Sequence, residues 1–419
     1  MPTRTAAALL AVFCAAATAN AQVTDDPAAL QADARQMLDL VATNYAYSER
    51  IGESWAQHNG DVEASLGDIV TRLDLLSFAE GVLHRLCDHH AITGPSSQAS
   101  AALVPSFADL WIETDPAGGF VITQVRAHSP AAAADIRPGD RLDAIGGVAL
   151  GDAIETFWTG SLPRGADCPA YAARVLAAGP RTGSRTLTLL RGDRRFEVEL
   201  PSLYAQDMSG GEEPLFVEEI APGIRHIVFH DSLGDSDTIG AIDAAIGAAP
   251  AGTRFVIDLR NTPSGGNTSV ARALLGYFTS QVQPYQHHSL PAEMRETGVA
   301  RSWLEEVSPR GPEPASPRRA VVLAGRWTGS MGEGLAVGFD ALGQTVAGSP
   351  MAGLLGAIYD LELDNTGWIF KLPVERLSHV DGRPREDFQP PVAVDPGYAG
   401  AGTGDAALAE AVRRLSDPG

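Results

Sequence analysis

The chain has 419 residues with 31 basic and 52 acidic side chains, a formal charge of −21. That balance argues against a phosphate-backbone partner, which needs a basic surface, so no nucleic-acid function is expected. The length allows two or three domains at roughly 150 residues each, and beyond the N-terminal segment no run approaches the ~20 apolar residues of a membrane span.

Residues 1–21 place Arg4 ahead of the apolar "AAALLAVFCAAA" and close with "ANA" before Gln22. This is the layout of a signal peptide cleaved after Ala21, and a periplasmic or secreted bacterial protein is the expectation. Residues 22–100 read as helical. Leu30, Met37, Leu38, Leu40 and Val41, and then Ile69, Leu73, Leu76, Ala79 and Leu83, recur at helical spacing. Gly94-Pro95 ends the pattern and "SSQASAA" reads as a linker. An oxidising compartment permits a disulfide between Cys87 and Cys168, but spacing leaves the pairing open. No CxxC pair or His/Cys cluster has zinc spacing, and neither a metal nor a cofactor is expected.

Residues 101–203 switch to short strands and turns. "FVITQVRAHSPAAAADIRPGDRLDAIGGVAL" carries a strand, a short helix entered at Ser129-Pro130, a Pro-Gly-Asp turn and a second strand, and "RTLTLLRGDRRFEVEL" reads as a hairpin. The segment resembles a PDZ domain, with Asp135 where that family has glycine. PDZ domains bind peptides by adding a strand to an open sheet edge. That edge is expected at Leu110, Trp111 and Ile112.

Residues 204–396 alternate apolar strands with helices of about ten residues, the pattern of a mainly parallel α/β sheet. The polar stretch "VQPYQHHSLPAE" within them reads as a surface lid. Residues 397–419 form a C-terminal helix and tail. Two features of the core carry chemistry. "VIDLRNTPSGGNTSV" runs from a buried strand through a Gly-rich turn into a helix, and "AVVLAGRWTGSMGEGL" does the same with one serine at the turn. Ser330-x-x-Glu333 has the spacing of a helix capping box. A serine at a strand-to-helix turn is also how hydrolases expose a nucleophile, because the helix N-terminus favours negative charge. Local sequence leaves both readings open. In a parallel sheet the two turns meet at the C-terminal strand ends, where ligands bind.

The order of helical region, PDZ domain and α/β core, with Asp258-Leu259-Arg260-Asn261 leading to Gly265-Gly266 and Thr328-Gly329-Ser330 leading to Glu333, resembles the tail-specific, or C-terminal processing, serine protease family. The resemblance implies a crotonase-like layering of the core, Ser330 as nucleophile, and an oxyanion site at the N–H groups of Met331 and of Gly265 or Gly266. It implies a peptide or unfolded-protein substrate. The family's usual base is a lysine within "T-(F/Y)-G-K-G", where this chain has Leu354 and Leu355, and its single lysine, Lys371, lies on a later strand. The tricorn-like branch takes a histidine from the segment before the PDZ domain, and Leu86-Cys87-Asp88-His89-His90-Ala91 matches it. That places the base on His90. Glu386 in "DGRPREDFQPP" falls where the branch has a glutamate, which would orient the imidazole or hold a second polar side chain or the substrate amine. His226 and His230 are the rival bases. A catalytically silent peptide- or ligand-binding protein on the same scaffold is the alternative function.

Overall fold

The computed structural model describes residues 26–50, 64–158, 167–206, 211, 213–231, 233–311, 317–394 and 404–417; the signal-peptide expectation lies outside them. The chain opens with helix α1 (Pro27–Asn44), capped by Asp26, and α2 (Arg72–His84), entered through a Thr71/Asp74 capping box. Met37, Leu38 and Val41 of α1 pack on Ala79, Val82 and Leu83 of α2, and both helices seal against Leu355, Phe370 and Leu372 of the core. After α2 the chain does not swing free at Gly94. Strand β1 (Ile92–Thr93) pairs with a core strand at Lys371 and Phe370, and the Gly94 N–H donates to the Ile369 carbonyl (2.9 Å).

The PDZ domain consists of β2 (Leu110–Thr114), β3 (Phe120–Val125), the short α3 (Pro130–Ala133), β4 (Arg141–Ile145), β5 (Val148–Ala149), α4 (Leu150–Phe157), α5 (Cys168–Ala178), β6 (Arg185–Arg191) and β7 (Arg194–Leu200). The sheet runs β2-β3-β4-β6-β7, with β5 paired to β4. Asp135, at the usual glycine position, holds φ at 58°, a left-handed conformation that aspartate tolerates. Its carboxylate accepts hydrogen bonds from Arg137 and Arg191.

The core contains β8 (Leu215–Ala221), β9 (Ile224–Phe229), α6 (Thr238–Ile242), β10 (Arg254–Asp258), α7 (Thr268–Leu275), β11 (Gln283–Ser289), α8 (Pro291–Thr297) and β12 (Ser302–Val307). It continues with β13 (Arg319–Ala324), α9 (Met331–Ala341), β14 (Thr345–Gly348), β15 (Ala357–Glu362), β16 (Ile369–Ser378), β17 (Val392–Ala393) and α10 (Ala406–Ser416). One sheet has the order β17-β14-β13-β10-β9-β8, parallel except at β8. Helices cover both of its faces, so β10 and β13 are buried on each side and read as unbroken apolar runs. A second, antiparallel sheet, β1-β16-β11-β12 with β15 beside β16, lies outside the parallel pattern. The stretch "QPYQHHS", expected in a surface lid, is β11 of that sheet. Its polarity misleads because pairing to β12 and β16, not apolar alternation, makes it a strand.

Candidate active site

Strands β10 and β13 are parallel neighbours, so the turns that follow them leave the sheet side by side. The Gly329 N–H donates to the Thr262 carbonyl (3.0 Å) and the Thr328 hydroxyl to the Leu259 carbonyl (2.8 Å), which ties the two turns together. A Cβ on Gly329 would stand 2.4 Å from the Pro263 carbonyl oxygen, and one on Gly265 would stand 2.7 Å from Leu233 Cβ and 2.9 Å from Met331 Cβ. Those contacts require glycine at both positions. Gly265 brings its turn against the residue that follows Ser330, and the N–H groups of Gly265 and Gly266 enter no hydrogen bond among the described residues.

Ser330 precedes α9 with φ 51° and ψ −114°, a strained backbone for a side-chain-bearing residue and of the kind that accumulates at reactive turns. Its N–H donates to Glu333 Oε2 (2.9 Å), as in a capping box, while its Oγ lies 3.1 Å from His90 Nε2. The His90 Nδ1 is 2.7 Å from the Leu355 carbonyl oxygen. A carbonyl only accepts, so Nδ1 carries the proton and the Nε2 lone pair faces the serine hydroxyl. Burial, reinforced by the Arg385 guanidinium, pulls the imidazole down to about 4, which keeps it neutral near pH 7.

Two buried acids support this pair. Asp88 Oδ1 accepts the His90 N–H (2.9 Å) and Oδ2 accepts the Tyr45 hydroxyl (3.0 Å); burial pushes its carboxyl up to about 6. Glu333 is fully buried and also accepts the N–H groups of Gly353 (2.8 Å) and Leu354 (3.3 Å), with burial raising it to about 7. Arg385, 3% exposed, donates through Nη2 to the Leu354 and Gly356 carbonyls (both 2.8 Å) and through Nη1 to the Ser330 carbonyl (3.3 Å). Sequence reasoning missed Arg385 and the 353–356 loop. The loop fills the place where a lysine was sought, and it acts through backbone atoms that no residue pattern reveals.

The remaining expected residues are placed as follows. Glu386 makes no hydrogen bond with His90; it lies against Tyr47, and burial raises its carboxyl. The imidazole-orienting position expected for it is occupied by the Leu355 carbonyl. His226 is bonded between Glu218 (3.2 Å) and Asp258 (3.1 Å), and His230 Nδ1 donates to the Glu213 carbonyl (2.7 Å) at the surface, so neither reaches Ser330. Lys371 pairs with Asp360 on the surface. Leu110, Trp111 and Ile112 do lie on the terminal strand of the PDZ sheet, but all three are buried, and Arg174 of α5 bonds the Ile112 carbonyl (3.1 Å). One carbonyl of the edge where a peptide strand was expected is thus already bonded by a helix side chain. Cys87 and Cys168 form a disulfide, which fastens the segment carrying His90 to the first turn of α5. The PDZ domain also touches both active turns, with Arg126 Nε bonding Asn261 Oδ1 (2.7 Å) and Trp327 Nε1 bonding the Ala108 carbonyl (2.7 Å).

A PDZ-domain family model matches residues 121–157. Over the whole chain the photosystem II D1 C-terminal processing protease superposes with a TM-score of 0.57 at 17% identity, covering 93% of this chain and 97% of that one. Mature CPAF gives 0.59 at 14%, covering 93% and 96%. The chain has the fold of the C-terminal processing proteases. A putative peptidase from Parabacteroides merdae shares it too, with a TM-score of 0.53 at 13% identity and 93% and 98% coverage. No curated protein matches in a sequence search. At these identities the fold is what is shared, and the chemistry rests on the residues described above.

Proposed function

We propose that the chain is an exported serine endopeptidase that cleaves unfolded or C-terminal peptide substrates, with Ser330 as nucleophile and His90 as base. The observation that carries this reading is the His90 Nε2–Ser330 Oγ contact of 3.1 Å, with the tautomer fixed by the Leu355 carbonyl. Nucleophile, base and an orienting group on the base's far nitrogen are the parts needed to activate a hydroxyl.

In the proposed reaction Ser330 Oγ attacks the scissile carbonyl carbon as its proton passes to His90 Nε2. The oxyanion is met by the N–H of Met331, at the start of α9, and by that of Gly265 or Gly266, each donor being typically worth a few kcal/mol. His90 then protonates the leaving amine, and water, deprotonated by the same nitrogen, hydrolyses the acyl-enzyme. No step calls for a metal or cofactor. The charge that His90 gains is opposed by nearby Arg385 and favoured by the Leu355 and Gly356 carbonyls.

The test is fluorophosphonate labelling and casein hydrolysis by wild type, Ser330→Ala, His90→Ala and His230→Ala. Ser330→Ala and His90→Ala are expected to lose about 10³-fold or more, and His230→Ala to keep wild-type activity. Full activity in His90→Ala would remove the base assignment. Well-folded wild type that neither labels nor cleaves would leave the silent-binder reading in its place.

A further inference from the structure

Strand β11 crosses the first turns of α9, and a bulge at Pro284/Gln286 resets which side chains face the helix. Tyr285 goes into the core against Gly338. Gln286, 5% exposed, turns toward the turn of α9 that follows Ser330. A Cβ placed on Gly334 would lie 3.8 Å from both Gln286 Nε2 and Oε1, and 3.7 Å from Met331 Sδ. Gln286 Nε2 is buried without a hydrogen-bond partner, and Oε1 accepts none from the described residues. Two residues along the same face, His288 bonds Glu375 through Nδ1 (2.8 Å) and also leaves Nε2 buried and unpaired.

An unpaired buried donor costs about 1–3 kcal/mol, and a leucine here would avoid that cost without disturbing the ladder. The amide stands one helical turn beyond the nucleophile, beside the side chain of Met331, and packs against Gly334, where a Cβ would meet it at van der Waals distance. Resting on the assignment of Ser330 as nucleophile, we propose that Gln286 is a specificity-determining residue that selects an uncharged, hydrogen-bonding side chain (Ser, Thr, Asn or Gln) at a position flanking the scissile bond. Such a side chain offers the acceptor and the donor that the amide lacks. An aliphatic one leaves both amide atoms unpaired, and a carboxylate answers Nε2 while opposing Oε1. Sites built to hydrogen-bond a substrate group discriminate strongly against the analogue without it.

The experiment is positional scanning of quenched peptides on both sides of the cleaved bond, using the full chain as wild type, Gln286→Leu and Gln286→Asn. Wild type should favour Ser, Thr, Asn or Gln over Val or Leu by about tenfold or more in kcat/KM at one flanking position. Gln286→Leu should abolish or invert that ratio, and Gln286→Asn, whose amide is set back by one methylene, should favour Gln over Ser. A wild type with no such preference, or a Gln286→Leu enzyme that keeps it, overturns the proposal. So does a loss equal for all peptides, which is what a purely structural residue would give. If wild type fails to react with a fluorophosphonate, the serine-nucleophile reading falls first; labelling with an unaltered preference sinks only the role of Gln286.

Discussion

Replacing Arg385 with methionine tests how the dyad is supported, because Arg385 touches neither reacting side chain. The guanidinium is buried, bonds three backbone carbonyls, and stands 3.9 Å from Glu333. Methionine keeps the length and removes all of these. Breaking a buried ionic pair in this way costs about 3–5 kcal/mol of stability, offset in part here because Glu333, already raised to about 7, can take up a proton. The 353–356 loop then loses one of its two anchors, the one bonded to the carbonyls on either side of Leu355, and the Leu355 carbonyl that orients His90 shifts. A misplacement of about 1 Å costs about 10²-fold in rate, and that is the expected drop in fluorophosphonate labelling. The pH profile carries the sharper signature. Arg385 is second only to burial in pulling His90 down to about 4. Without it the imidazole titrates at higher pH, and since only the neutral ring accepts the serine proton, the acid limb of kcat/KM must move upward, part of the way only because burial remains. A lower rate with an unmoved limb would mean general damage. A folded Arg385→Met enzyme with wild-type rate and limb would refute the support role altogether.

Cys168→Ser should lower the melting temperature, since the bond joins residues 81 apart in sequence, and closing such a loop is worth about 4 kcal/mol. It should also slow labelling, because Cys87 sits three residues before His90; calorimetry and labelling rates check both, and an unchanged rate would remove the bond from the site's support. Asp88→Asn should flatten the pH dependence of stability. Burial raises the folded carboxyl to about 6 from an unfolded value near 4, so wild type holds the full contribution below about pH 4 and loses roughly 3 kcal/mol of it as pH rises through 6. Urea titrations of both proteins from about pH 4 to 8 should therefore converge at the acid end and diverge in favour of the Asp88→Asn variant at the alkaline end, and parallel curves would refute the assignment.

The parallel sheet was legible because β10 and β13 carry apolar runs whose burial is decided locally. The turns at Gly265 and Ser330 follow from it, since parallel neighbours must present their C-terminal ends together. The second sheet was not legible. β11 and β16 owe their strand state to partners far along the chain, and "QPYQHHS" carries no period-2 apolar signal. His90 and Ser330 are 240 residues apart, so their meeting follows from no periodicity, and only family resemblance pointed to it. The contact on the PDZ edge was hidden for a different reason. "ADLWIE" does form the terminal strand, but which of its carbonyls stay free depends on where a later helix packs, and the Arg174 that bonds one of them comes 62 residues after Ile112.

The missing lysine explains much of the rest. A lysine near Leu355 would bring its base from within the core, whereas a histidine from the helical region must be held there by contacts between regions. Three such contacts converge on the residues around His90: the β1–β16 pairing after it, the Cys87–Cys168 bond before it, and the Leu355 carbonyl on its ring. The first ties it to the core sheet, the second to the PDZ domain, and the third to the loop gripped by Glu333 and Arg385. Under the proposed mechanism, the PDZ domain is thus linked to the base by a covalent bond three residues away. A lysine base in the 353–356 loop would need none of these three contacts.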